Sequence, residues 1–201
     1  IKLVLLIFSE TKTADEWVVS KSKFIGHTLM GDSRESFLND VSEISRKHKT
    51  ANHVAFAYQI RSNNSTDAYF YDAGEPSGTA GKPLLKILES KKIVNSGIAV
   101  VRYYGGVNLG TGGLARAYTK AGMMALTGTK IENFIPLYLY NLTIKYNILD
   151  KISNLVYESG GLILDRNFDT DVHLIAKLTK EVAENINDNF PTVKITSLSN
   201  N

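Results

Sequence analysis

Alternation and helical spacing divide the chain before any chemistry is considered. Ile98-Ala-Val-Val-Arg-Tyr-Tyr104 is short, apolar and β-branched, and a double glycine ends it, which predicts a buried strand. Helical spacing resumes from Leu114 through Ala117, Tyr118, Ala121, Met124 and Ala125. Upstream, Trp17 to Phe24 has strand character, and Asp32 with Glu35 predicts the start of a helix carrying Phe37, Val41 and Ile44. Val54, Phe56, Tyr58 and Ile60 alternate with Ala55, Ala57 and Gln59 as in a half-buried strand. The polar run Ser62 to Thr66 predicts a hairpin loop, with Ala68 to Tyr71 returning as its partner. Pro83 suits the start of another helix, with Leu84, Ile87 and Leu88 facing a core.

Beyond a turn at Gly128, Pro136 is the expected boundary between a domain over 1–135 and another over 136–201. The second half has a complete βαββαβ pattern. Tyr138 to Tyr146 alternates along a strand, and a helix follows, capped by Asn147 and stopped at Gly160-Gly161. Leu162 to Phe168 and Val172 to Leu178 form a hairpin, and Thr179 caps a helix that ends at Pro191. Val193 and Ile195 lie on the last strand. This is the ferredoxin-like order, without a cluster of catalytic residue types, and it reads as a binding or positioning module.

Composition narrows the class of protein. A hydrophobic content of 43% and a charged content of 21% are ordinary for a soluble globular chain. The net charge is only +3, but its distribution is uneven. Up to Ile135 there are 17 Lys/Arg against 12 Asp/Glu, and from Pro136 onward 6 against 8. The basic front fits an anionic partner meeting it, and chance surface variation accounts for it at least as well. The absence of cysteine excludes disulfides, thiol catalysis and zinc–thiolate sites, and it fits a cytoplasmic location. The opening IKLVLLIF is too short to span a bilayer and lacks the flanks of a signal peptide; it reads as an extra strand or an extension.

The candidate chemistry lies in two glycine-rich connections that each feed a helix. One holds Gly105, Gly106, Gly110, Gly112 and Gly113, the other Asp72-Ala-Gly-Glu-Pro-Ser-Gly-Thr-Ala-Gly-Lys-Pro83. Such loops aim backbone N–H groups and a positive dipole end at a docking anion. Arg102, Arg116, Lys120 and Lys82 add positive charge, and Tyr104 shares the sheet face of Arg102 while Tyr103 takes the other. His53, Asp72 and Glu75 are further polar candidates. Gly110-x-Gly112-x-x-Ala115 fits only a relaxed dinucleotide fingerprint, and no Walker A pattern occurs. The alternative is that these glycines serve packing alone, with Asp72 and Glu75 bonded to backbone amides.

Asp72-x-Gly-Glu-Pro-Ser-Gly-Thr-Ala-Gly-Lys-Pro83 and Val101-Arg-Tyr-Tyr-Gly-Gly-x-x-Leu-Gly-Thr-Gly-Gly-Leu-x-x-Ala-Tyr118, following Lys21-Ser-x-Phe-Ile25 and His53, resemble the IMPACT/YigZ family. The resemblance covers Trp17 to Thr127 by motif and the C-terminal part by pattern. It implies an α+β protein. The N-terminal α/β sandwich would resemble a ribosomal-protein domain and the fourth domain of elongation factor G. The C-terminal ferredoxin-like domain would resemble that factor's fifth. In eukaryotic relatives the resemblance implies control of translation.

Three functions remain open. The first is a cytosolic, translation-associated regulatory or binding protein. It would hold RNA, the ribosome or another phosphate-bearing ligand in a glycine-rich cleft, without sequence-specific DNA recognition. The second is an enzyme on a small phosphorylated or nucleotide substrate, with His53 and Glu75 as acid/base groups and Arg102 on the anion. No nucleophile–base pair or metal set is visible, so no catalytic residue, metal or cofactor is assigned and the balance tilts away from an enzyme. The third is a protein–protein adaptor in which the glycine motifs serve only the fold.

Overall fold

The structure is a computed structural model that describes residues 4–62 and 65–198. The chain divides into two compact units, Ile1–Phe134 and Ile135–Asn201. It is an α+β protein.

Unit 1 is built on a five-stranded antiparallel sheet. Its strands are β2 (Trp17–Val19), β3 (Ser22–Met30), β4 (His53–Ser62), β5 (Ser65–Tyr71) and β6 (Ser96–Tyr103), ordered β2-β3-β6-β4-β5. Helix α1 (Arg34–Lys47) covers one face. Helices α2 (Gly81–Ser90) and α3 (Gly110–Leu126) cover the other. A short pair, β1 (Leu6–Phe8) with β7 (Ile131–Asn133), accounts for part of the apolar opening; Ile1 to Leu3 lie outside the described residues.

The covering helices explain why β4 departs from its expected half-buried state. Phe56 and Tyr58 pack under α1, with Tyr58 stacked on Phe37 at 4.7 Å. Ala55 and Ala57, on the opposite face, are fully buried beside Leu84, Leu88 and Ile98. Alanines there leave room for α2 to lie close to the sheet, so both faces of the strand are dry. Strands β5 and β6 both pair antiparallel to β4 and therefore run parallel to each other. Each feeds a helix on the same face, and α2 and α3 return side by side.

Several boundaries differ from the sequence reading. The segment expected as one strand over Trp17 to Phe24 is a hairpin, turning at Ser20 and Lys21 with φ of 46° and 61°. Neither residue type advertises a turn of that hand, which favours Asn-Gly. The cap of α1 is Ser33, whose hydroxyl accepts from the Ser36 amide, rather than Asp32. Helix α2 starts at Gly81, two residues before Pro83. Helix α3 starts at Gly110 rather than Leu114, so Gly110, Gly112 and Gly113 form its first turn. Asn63 and Asn64, in the expected hairpin loop, lie outside the described residues.

Unit 2 has a four-stranded antiparallel sheet in the order β11-β8-β10-β9. The strands are β8 (Tyr138–Ile144), β9 (Leu162–Phe168), β10 (Val172–Leu178) and β11 (Lys194–Ser197). Helices α4 (Leu149–Glu158) and α5 (Lys180–Asn189) complete the βαββαβ order of a ferredoxin-like fold. Val172, Leu174, Ala176 and Leu178 form one buried row against Ile152, Val156 and Ile186. Thr179 caps α5 through the Val182 amide. Asn147 does not cap α4: a 3-10 turn over Tyr146–Ile148 leads into that helix instead. Among the described residues, no helix is long and apolar enough to cross a membrane.

Candidate functional site

The polar residues singled out in the sequence separate into a buried centre and an open groove. The centre forms around Glu75, which is 8% exposed. Its Oε1 accepts from Arg102 Nη1 at 2.6 Å and from the Tyr118 hydroxyl at 2.8 Å. Arg102, 3% exposed, also donates from Nη2 to Ser22 Oγ at 3.3 Å, and that oxygen takes the Gly105 amide at 3.2 Å. The Phe24 and Tyr104 rings lie 5.5 and 5.2 Å from the guanidinium. Burial and the neighbouring carboxylate push the Tyr118 phenol far above its ordinary value, so it keeps its proton and donates. One charge pair thus ties β6, the 72–80 loop and α3 together.

The loop is shaped by its own backbone and by Asp72. Ala73 and Gly74 take left-handed φ of 53° and 83°, turning the chain so that Glu75 points inward. The Asp72 carboxylate accepts from the amides of Gly78, Ala80 and Gly81 at 2.8, 3.0 and 2.8 Å. It therefore satisfies the start of α2 from within the chain. Asp72 is bonded to amides, as the packing alternative has it, whereas Glu75 is bonded to side chains. His53 joins this centre. Its Nδ1 lies 2.7 Å from the Ala73 carbonyl, an acceptor only, so Nδ1 carries the proton. Its Nε2 lies 3.9 Å from Glu75 Oε1, and its side chain is 24% exposed.

The second glycine stretch divides as well. A Cβ on Gly105 would collide with the Lys21 and Ser22 backbone, so that glycine permits a close approach of β6 to the β2–β3 turn. Gly106 and Gly110 take φ of 80° and 65° with open space around them. Gly112 and Gly113 lie in the first turn of α3, which no side chain caps.

The groove lies between α2 and α3, open to solvent, with a volume of about 770 Å³. Lys82, Lys86, Arg116 and Lys120 line it, over apolar surface from Pro83, Ile87, Ala115 and Met123. No Asp or Glu lines it, and none of the four cations is in an ion pair among the described residues. Each helix contributes two cations four residues apart, a like-charge spacing that opposes helix formation. Lys82 also sits at the positive end of α2. Unpaired cations at this spacing suit an anionic ligand. Lys82, Arg116 and Lys120 were legible in the sequence. Lys86 was not singled out, although its place four residues after Lys82 is the signal. Tyr104 is 47% exposed and stands over Arg102 instead of lining the groove.

Comparison with known proteins assigns the chain to a family. Residues 20–126 match the Impact N-terminal domain, and residues 142–190 match a domain of unknown function (DUF1949). The chain belongs to the IMPACT family. It is 34% identical over 168 residues to the IMPACT family member YigZ of Escherichia coli K12, covering 83% of this chain and 82% of that one. It is 33% identical over 167 residues to an IMPACT family member of Haemophilus influenzae, covering 83% and 81%. A crystal structure of a hypothetical protein aligns over the whole of both chains with 29% identity and a TM-score of 0.75.

Proposed function

We propose that this protein is a cytosolic, translation-associated binding protein that holds a phosphate-bearing strand, RNA free or on the ribosome, in the groove between α2 and α3. The observation that carries the reading is the set of four cations, Lys82, Lys86, Arg116 and Lys120, without an acidic neighbour in the groove. Pairs four residues apart on each of two helices suit successive phosphates of a strand better than a single compact anion. The likeness to a ribosomal-protein domain and to elongation factor G domains that the family resemblance implies supports a ribosomal setting. In this reading Arg102 is a scaffold residue, since its guanidinium is already engaged by Glu75 and Ser22.

The test is binding of the purified protein to a labelled single-stranded RNA and to ribosomes, beside the Lys86→Ala/Lys120→Ala variant. Binding at low salt that weakens in the variant supports the proposal. No binding of either at low salt would sink it. A catalytic reading is favoured only by His53, whose Nδ1 proton is fixed while Nε2 faces the Glu75 centre. Turnover of a phosphorylated metabolite, abolished by His53→Gln in a folded protein, would shift the assignment to an enzyme.

A further inference from the structure

Strand β5 closes one side of the five-stranded sheet with an edge whose one charged side chain is Asp67. All seven of its residues, Ser65–Tyr71, are exposed. Its pairing to β4 runs unbroken from Tyr71 opposite Phe56 to Ser65 opposite Ser62. It has no proline, no lysine and no bulge, and three consecutive aromatics end it. Natural sheets block such edges against strand addition with those very devices. The opposite edge, β2, is only three residues long.

The sequence of β5 is complementary to itself. Antiparallel pairing about a two-fold axis at Ala68 sets Ser65 opposite the partner's Tyr71, and Thr66 opposite the partner's Phe70. It sets Asp67 opposite the partner's Tyr69. On either side of the axis, where Ala68 meets the partner's Ala68, each shorter residue faces an aromatic one, and no like charges meet. The charges are matched too. The Arg34 guanidinium lies 5.7 Å from the ring of Tyr69, the position that Asp67 of the partner would face. Neither Arg34 nor Asp67 is in an ion pair among the described residues. The two-fold axis makes that contact twice.

The layer above the sheet leaves room for this. Helix α2 packs over β4 and β5. Strands about 4.8 Å apart would bring the two copies of α2 to about 10 Å, the ordinary distance of packed helices. We propose that β5 pairs antiparallel with β5 of a second copy of this chain, forming one continuous sheet with isologous Arg34–Asp67 contacts across the axis. The pairing sets the helix layers of both copies on the same side of that sheet, so the two cationic grooves face the same way.

Sedimentation equilibrium of the full chain over a wide concentration range tests the proposal. Ala68→Lys places two like charges across the axis without touching either core, and circular dichroism checks that it stays folded. The expected result is a concentration-dependent dimer that Ala68→Lys weakens by about tenfold or more. Arg34→Glu should weaken it as well, and Arg34→Glu/Asp67→Arg should restore it. A wild-type chain that is monomeric at every concentration overturns the proposal. So does a dimer indifferent to Ala68→Lys, or a charge exchange that dimerises no better than Arg34→Glu alone.

Discussion

At the scale of single residues, the Glu75–Arg102 pair is what the domain can least spare. Two charges 2.6 Å apart and out of water are tolerable only together, and Tyr118 adds a third group to the same oxygen. Removing one partner strands the other. Arg102→Ala should therefore cost about 3–5 kcal/mol of stability, measured by urea unfolding, while an exposed lysine such as Lys120→Ala should cost little. A cost for Arg102→Ala within the range of surface substitutions would contradict the scaffold role. His27 gives a second prediction. It is 8% exposed, bonded to the Thr13 hydroxyl, and burial followed by nearby His48 and Lys47 lowers its pKa from 6.5 to about 4. Between those values the unfolded chain binds a proton that the folded chain refuses. Stability from this residue is present above pH 6.5 and is lost as the pH falls toward 4, with a slope of about 1.4 kcal/mol per pH unit. Unfolding curves in that window should flatten in His27→Gln. The sequence marked Arg102 as a cation beside a glycine turn. It did not reveal that residues 27 and 80 positions away in the chain would enclose it, because long-range pairing is invisible to periodicity.

At the scale of elements, strands and helices with strong periodicity were legible, and their ends were not. The row Val172 to Leu178 and the cap at Thr179 follow from local spacing. The turn at Ser20-Lys21 does not, because both residues are held left-handed by the β2–β3 pairing and not by their own preference. Replacing them with Asn-Gly should stabilise the hairpin by about 0.5–1 kcal/mol in thermal unfolding; no gain would mean that the turn is held by contacts of Lys21 itself. The start of α3 was displaced for a related reason. Gly110, Gly112 and Gly113 lack the side chains by which a helix is recognised, yet their backbones help close its first turn. Helix α2 owes its start to Asp72, which accepts three amides. Asp72→Ala should raise hydrogen exchange at Gly78, Ala80 and Gly81 and lower stability by about 2 kcal/mol. Unchanged exchange there would show that the loop geometry is set elsewhere.

At the scale of the whole molecule, two compact units with different charge balance follow one another in the chain. Only the first contains the four-cation groove. The groove was partly legible in the sequence: three of its cations lie in or near the glycine-rich motifs, but that they line one groove depends on β5 and β6 running parallel and returning α2 and α3 side by side. The central claim is that Lys82, Lys86, Arg116 and Lys120 meet phosphates, and the salt dependence of RNA affinity tests it most directly. Each phosphate neutralised on a single strand contributes about 0.7 to the slope of log affinity against log salt. Removing Lys86 and Lys120 together should lower that slope by about 1.4 while leaving the fold intact. A slope equal in the wild-type protein and the double variant would contradict the claim.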